Sequence, residues 1–90
     1  MTTEQLKNSM RLNQLADEAR QERSMWHNQT ERTELAMIAN QLEEAARKSL
    51  TADEDYGDAW AEAGTMHVRR YTSLRKFGEN TYRQVHTPDE

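Results

Sequence analysis

The first half of the chain carries two apolar stripes, each with the spacing of one face of a helix. The stripes consist of Leu12, Leu15, Ala16, Ala19 and Trp26, and of Leu35, Ile38, Leu42, Ala45 and Ala46. At 100° per residue they lie on nearly opposite sides of any single helix that contains both. The chain therefore forms either two helices with a break between them, or one helix over residues 4–50 whose halves contact different neighbours.

The stretch "HNQTERTE" favours the break. Asn28 and Glu31, three residues apart, match a capping box. In this motif the side chain of each residue accepts a hydrogen bond from the backbone N–H of the other. No glycine or proline enforces a break there, so the single helix of residues 4–50 stays open as the alternative. The first helix is expected to begin after Thr2 or Thr3.

A third helix is predicted after the polar stretch "SLTADEDYG". Thr51 and Glu54 match a capping box, which predicts a helix from about residue 53 to Phe77 with Gly78 as its left-handed C-terminal residue. We predict a single domain over residues 1–78 and a polar tail over 79–90. The predicted apolar stripe of this helix consists of Tyr56, Ala59, Trp60, Ala63, Met66, His67, Tyr71, Leu74 and Phe77.

Helix-forming residues dominate and strand signals are nearly absent, so the predicted fold class is all-α, a helical hairpin with an additional N-terminal helix. The chain has 90 residues, is 34% hydrophobic and has a mean hydropathy of -1.16. A chain of this size buries only part of its unfolded surface. We therefore expect it to complete its core by packing into an oligomeric helical bundle.

Several chemistries are not indicated by the sequence. There is no cysteine for a disulfide or a thiolate metal site, and no HExxH, phosphate-binding glycine loop or nucleophile elbow. The acidic run at residues 53–58 fails the calcium-loop pattern, because Asp58 and Gly64 stand where glycine and glutamate are required. No secretory signal or apolar run of about 18 residues is present. We expect a cytoplasmic, non-enzymatic protein without a metal, a cofactor or a membrane partner.

The net charge of -4 is distributed unevenly along the chain. Acids concentrate in residues 51–64 and bases in residues 65–86, which is the order that the helix dipole favours. For this reason Arg69, Arg75 and Lys76 are interpreted as part of a solvated face.

His67 and Arg70 are less easily explained by solvation. Helical geometry places His67 near the middle of the predicted stripe and Arg70 on its flank. The structural interpretation is a core histidine and an ion pair with Glu31, Glu34, Glu43 or Glu44. The functional interpretation is a pocket for an anion or a nucleotide, in which His67 and Arg70 would bind the phosphate. Trp60 or Tyr71 would supply a stacking surface for a base, and Arg83 is a further candidate for the same pocket.

From Leu50 onward, "LTADEDYGDAW…LRKFGEN" resembles the turn and second helix of a small plasmid copy-number regulator family. That family forms an antiparallel four-helix bundle and binds paired RNA loops through its first helix. The resemblance covers about a third of the chain, and the helix before it has its apolar positions out of phase. It implies a helical hairpin that dimerises, and it implies no binding residue.

The leading functional hypothesis is a small protein that self-associates and binds another macromolecule as an adaptor or inhibitor, with a phage or plasmid accessory role directed at a host protein. Residues 35–77 would form the core, and Leu12, Leu15, Ala19 and Trp26 would form the interaction surface. Trp26 is the candidate anchor, because tryptophan is enriched among interface hot spots. Ordinary core packing is the alternative for these four residues. The alternative function is binding of a nucleotide or RNA by the basic end of the last helix.

Overall fold

Three helices make up the part of the chain that the computed structural model describes, which is residues 1–86, with side chains through residue 79. They are α1 (Thr3–Met25), α2 (Gln29–Ser49) and α3 (Glu54–His86). The chain runs up, down and up again, so that α1 and α3 are parallel and α2 is antiparallel to both. The all-α prediction is confirmed, and none of the described helices is long and apolar enough to cross a membrane.

The break between α1 and α2 is confirmed and falls at Trp26 to Asn28. Asn28 is the N-cap of α2, and its side chain accepts from the backbone N–H of Thr30 at 2.8 Å. The reciprocal bond from Glu31 that a capping box requires is not seen. The Arg23 side chain links α1 to α2 at this corner, because its Nε donates a hydrogen bond to the backbone carbonyl of Arg32 at 3.2 Å.

The start of α1 is tied to the turn between α2 and α3. Thr2 caps α1 in a complete capping box with Gln5, and its hydroxyl also donates to the Glu54 carboxylate at 2.8 Å. Gln5 donates to the carbonyl of Ala52, and Asn8 donates to that of Glu54. The predicted Thr51 cap is wrong, because the Thr51 hydroxyl instead donates back to the carbonyl of Lys48.

The predicted end of the last helix at Phe77 is also wrong. Gly78 is helical, and no described glycine has a positive φ. The helix continues to His86, so the predicted polar tail of residues 79–90 begins inside α3, and its residues 87–90 lie outside the described part. Because Glu22 near the end of α1 lies opposite Arg75, α3 extends past α1 by roughly two turns.

The core lies mainly between α1 and α2. Among the side chains described through residue 79, nine of the eleven buried apolar residues come from these two helices, and α3 supplies the other two, Ala61 and Val68. The expectation that residues 35–77 form the core is right only in part, because seven of these eleven residues lie in that range and the other four lie on α1. Leu12, Leu15 and Ala19 are buried in this core and Trp26 packs against it. They do not form an exposed interaction surface, and core packing accounts for them.

The inward face of α3 is built from small residues instead of the predicted aromatic stripe. Gly57, Ala61, Gly64 and Val68 are buried at spacings of three and four. A Cβ on Gly57 would lie 2.7 Å from the Asn8 Cβ, and one on Gly64 would lie 2.6 Å from a methyl group of Leu42. The absence of a side chain at these positions lets α3 approach α1 and α2 closely. At 100° per residue the predicted stripe is consequently turned by about a third of a circle from the buried face, toward solvent.

Candidate interaction groove

The outward turn of α3 leaves a groove between α2 and α3, with a volume of about 870 Å³. We call it the α2/α3 groove. Its α2 wall is formed by Glu31, Glu34, Met37, Ile38, Gln41 and Leu42. Its α3 wall is formed by Ala59, Trp60, Ala63, Gly64, His67, Arg70, Tyr71 and Leu74.

The groove brings together four of the five residues predicted for an anion or nucleotide pocket. Trp60, His67, Arg70 and Tyr71 all lie on its α3 wall. The fifth, Arg83, belongs to the helical backbone of α3, but its side chain lies outside the described side chains. Sequence spacing thus grouped these residues on one helix face correctly.

Tyr71 lies toward one end of the α3 wall, three residues before Leu74, and is held from two sides. Its hydroxyl donates to the Glu34 carboxylate, and its ring meets Trp26 edge to face at a centroid distance of 5.9 Å. Burial, followed by the hydrogen bond to Glu34, raises the pKa of Tyr71 to about 12. Glu31 lies on the same wall as Glu34, and its Oε2 is buried without a hydrogen-bond partner among the described atoms. This end of the groove is therefore acidic.

His67 and Arg70 do not take the structural roles considered for them. Both are exposed, and neither makes an ion pair or side-chain hydrogen bond with the residues described through 79. The expected core histidine and the expected pairing of Arg70 with an α2 glutamate are both absent there. Arg70 is close enough to Tyr71 to lower the pKa of its hydroxyl, against the larger effects that raise it.

Arg75 is paired, contrary to the solvated role expected for it. Its Nε and Nη2 donate to the two carboxylate oxygens of Glu22 at 2.6 and 3.3 Å, and Nη1 donates to Glu79 at 2.9 Å. The Arg75 and Glu22 side chains are 15% and 7% exposed. The Glu22 carboxylate raises the pKa of the guanidinium. This pair fixes α3 against the end of α1, whereas Arg69 and Lys76 are exposed as expected.

Large apolar side chains are exposed along the groove and beside it. Met37 on α2 and Leu74 on α3 line the groove and are 56% and 50% exposed. Met66 and Phe77, farther round the face of α3, are also exposed. Contiguous exposed apolar surface of this kind marks interaction sites more often than isolated apolar residues do.

The α2 wall of the groove was missed in the sequence. Met37 lies next to Ile38 but outside the second stripe. An apolar residue outside an already complete stripe is the signal that could have identified Met37 as part of an exposed site. Glu31 was identified as a capping residue and, together with Glu34, as a pairing partner for Arg70. Their contribution to the same groove depends on how α2 and α3 pack, which spacing within one helix does not specify.

Comparison with known proteins identifies no match among protein families, curated proteins or solved structures. In the described part of the chain, no cluster of three or more histidine, aspartate or glutamate side chains is arranged to hold a metal ion. The groove is therefore interpreted from its own geometry.

Proposed function

We propose that this protein is a non-enzymatic interaction module that binds an amphipathic helix of a protein partner in the α2/α3 groove. The observation that carries the proposal is the apolar lining of the groove, in which Met37 and Leu74 are exposed and Ile38 and Trp60 are partly buried. Covering such a lining removes apolar area from water, at about 25 cal/mol per Å² before the cost of association.

The shape of the groove suits a helix. It runs between two antiparallel helices, and its α3 wall extends from Ala59 to Leu74, which corresponds to about 22 Å along the helix axis. A partner helix of about 15 residues has this length. Its ridge of side chains can enter the groove as helices do in bundles and in helix-binding domains.

Nucleotide or RNA binding is the weaker candidate. Arg70 and His67 are positioned to contact a phosphate, but Glu31 and Glu34 on the opposite wall would repel it. Tyr71 is also less available for stacking on a base, because its ring contacts Trp26 and its hydroxyl is bonded to Glu34.

The test uses the full chain with a photoreactive amino acid in place of Met37, and a matched chain with the same group in place of Met10. Both methionines are exposed, but Met10 lies on α1 outside the α2/α3 groove. Each chain is irradiated after purification and in expressing cells, and adducts are mapped by mass spectrometry.

We expect adducts from position 37 on an identified polypeptide, at residues spaced three or four apart as on one helix face. They should disappear when Leu74→Glu is added, because a carboxylate would then stand in the apolar groove. Equal labelling from positions 10 and 37, labelling of nucleic acid from position 37, or no adduct there would each refute the proposal.

A further inference from the structure

The charged side chains on the outer side of α3 are arranged in two blocks of opposite sign. Asp55, Asp58 and Glu62 come first, and Arg69, Arg70 and Lys76 follow. All six are exposed. Among the residues described through 79, only Asp58 has an ion-pair partner, Arg11 at 3.8 Å.

These charges share one flank of the exposed apolar face. At 100° per residue, the six positions fall within an arc of about 120°. Arg70 lies at the inner edge of this arc, nearest the groove, while the others lie farther round toward solvent. Without Arg70 the arc narrows to about 60°, so the other acids and bases form one line along the helix beside Met66 and Ala59, whereas Arg70 lies between Ala59 and Ala63.

We propose that the helix bound by the α2/α3 groove is α3 of a second copy, antiparallel to the first, with a two-fold axis near Met66. This inference rests on the proposed function and names its partner. A two-fold axis perpendicular to both helices reverses the chain direction and keeps each flank against the same flank of the partner. The acidic block of each copy then faces the basic block of the other.

The spacing of the charges fixes the register. A two-fold axis that pairs two residues crosses the helix at the mean of their residue numbers. This mean is 65.5 for the pairs Asp55–Lys76 and Glu62–Arg69, and 66 for the pair Glu62–Arg70. Several pairs thus converge on one axis position. A parallel arrangement would instead place acid against acid and base against base, which opposes association.

The same axis matches side-chain sizes across the interface. Ala59 comes opposite Leu74 of the second copy, with a midpoint of 66.5, so that a small residue faces a large one. Arg70, which has no described partner within its own chain, comes opposite Glu62 of the second copy. The helices α2 and α3 of the two copies then pack as two layers, and α3 of each copy covers the groove of the other.

The test is a charge-reversal cycle on the full chain: Glu62→Arg, Arg70→Glu and the two together. The double variant has the net charge of the wild type, so recovery cannot come from overall charge. Lys7→Glu on α1 is the control reversal, since Lys7 is exposed, pairs with Glu4 of its own helix and does not line the α2/α3 groove. Dissociation constants are measured by sedimentation equilibrium, and circular dichroism verifies that each variant remains helical.

We expect a wild-type dimer, at least about tenfold weaker dimerisation for each single reversal because two symmetric pairs become repulsive, and recovery in the double variant. The control should dimerise like the wild type. A monomeric wild type, single reversals equal to the control, or no recovery in the double variant would overturn the inference. If the wild type is monomeric while position 37 labels a helix of a different protein, the second copy is excluded and the proposed function stands.

Discussion

Replacing Gly57 by alanine should destabilise the protein although alanine is the better helix former. A Cβ at this position would lie 2.7 Å from the Asn8 Cβ and 3.1 Å from the Ser49 Cβ. Both of these atoms are attached directly to the backbone, so neither can rotate away. Three helices meet at this point, and α3 would have to move outward from α1 and α2.

The magnitude follows from two opposing terms. Alanine in a helix is favoured over glycine by about 1 kcal/mol. Overpacking a close contact typically costs about 1 to 3 kcal/mol, and the upper part of that range applies because backbone-linked atoms must move. The expected net loss in the free energy of unfolding is about 1 to 2 kcal/mol. For a domain of this size, this corresponds to a decrease in Tm of roughly 4 to 16 °C.

Gly78→Ala is the matched control, because a Cβ there would have no atom within 4 Å. Only the propensity term remains, so this variant should gain up to about 1 kcal/mol. Urea denaturation followed by circular dichroism at 222 nm compares the two variants with the wild type. If Gly57→Ala is as stable as the wild type or more stable, the close approach of the helices is not a constraint and the reasoning is refuted.

Three further predictions address other contacts. Glu22→Gln should lower the free energy of unfolding by about 1.5 to 3 kcal/mol in urea denaturation, because Arg75 loses the more buried of its two charged partners and keeps Glu79; an unchanged midpoint would contradict this. Tyr71, with a pKa raised to about 12 from 10, contributes stability that is complete below pH 10 and is lost as the pH rises toward 12. An absorbance titration at 295 nm should therefore show a late tyrosine phase that Tyr71→Phe removes, and persistence of that phase would assign it to another tyrosine. Thr2→Ala should cost about 0.5 to 2 kcal/mol through loss of the α1 cap, and Thr2→Ser should restore most of it; equal stability of the two variants would argue against the cap.

The helices α1 and α2 were predictable because large apolar side chains mark their buried faces. Leu35 and Leu42 on α2 lie in the core as expected, and Leu12 and Leu15 on α1 lie there as the alternative to the interaction surface had it. The corner at Asn28 was also readable from its capping chemistry, since a polar residue there satisfies a free backbone N–H.

The orientation of α3 was not predictable by the same rule. Its buried face is formed by Gly57, Ala61 and Gly64, which have little or no side-chain surface and so give a weak apolar signal. Close backbone approach at these residues outweighed burial of the larger stripe that includes Met66 and Leu74. The groove residues on α3 were found from the sequence, but as a supposed core face, and their exposure followed only from the packing of the three helices.

The hydrogen bonds between the start of α1 and the turn before α3 also constrain how the protein is made. Gln5 and Asn8 reach partners 46 or 47 residues later in the chain. While the chain is being synthesised, α1 and α2 can pair before α3 exists. At roughly 5 to 20 residues per second, the 33 residues of α3 take about 2 to 7 s to emerge. For that interval the apolar surface of α1 and α2 against which Ala61 and Val68 pack in the folded protein is not covered by α3.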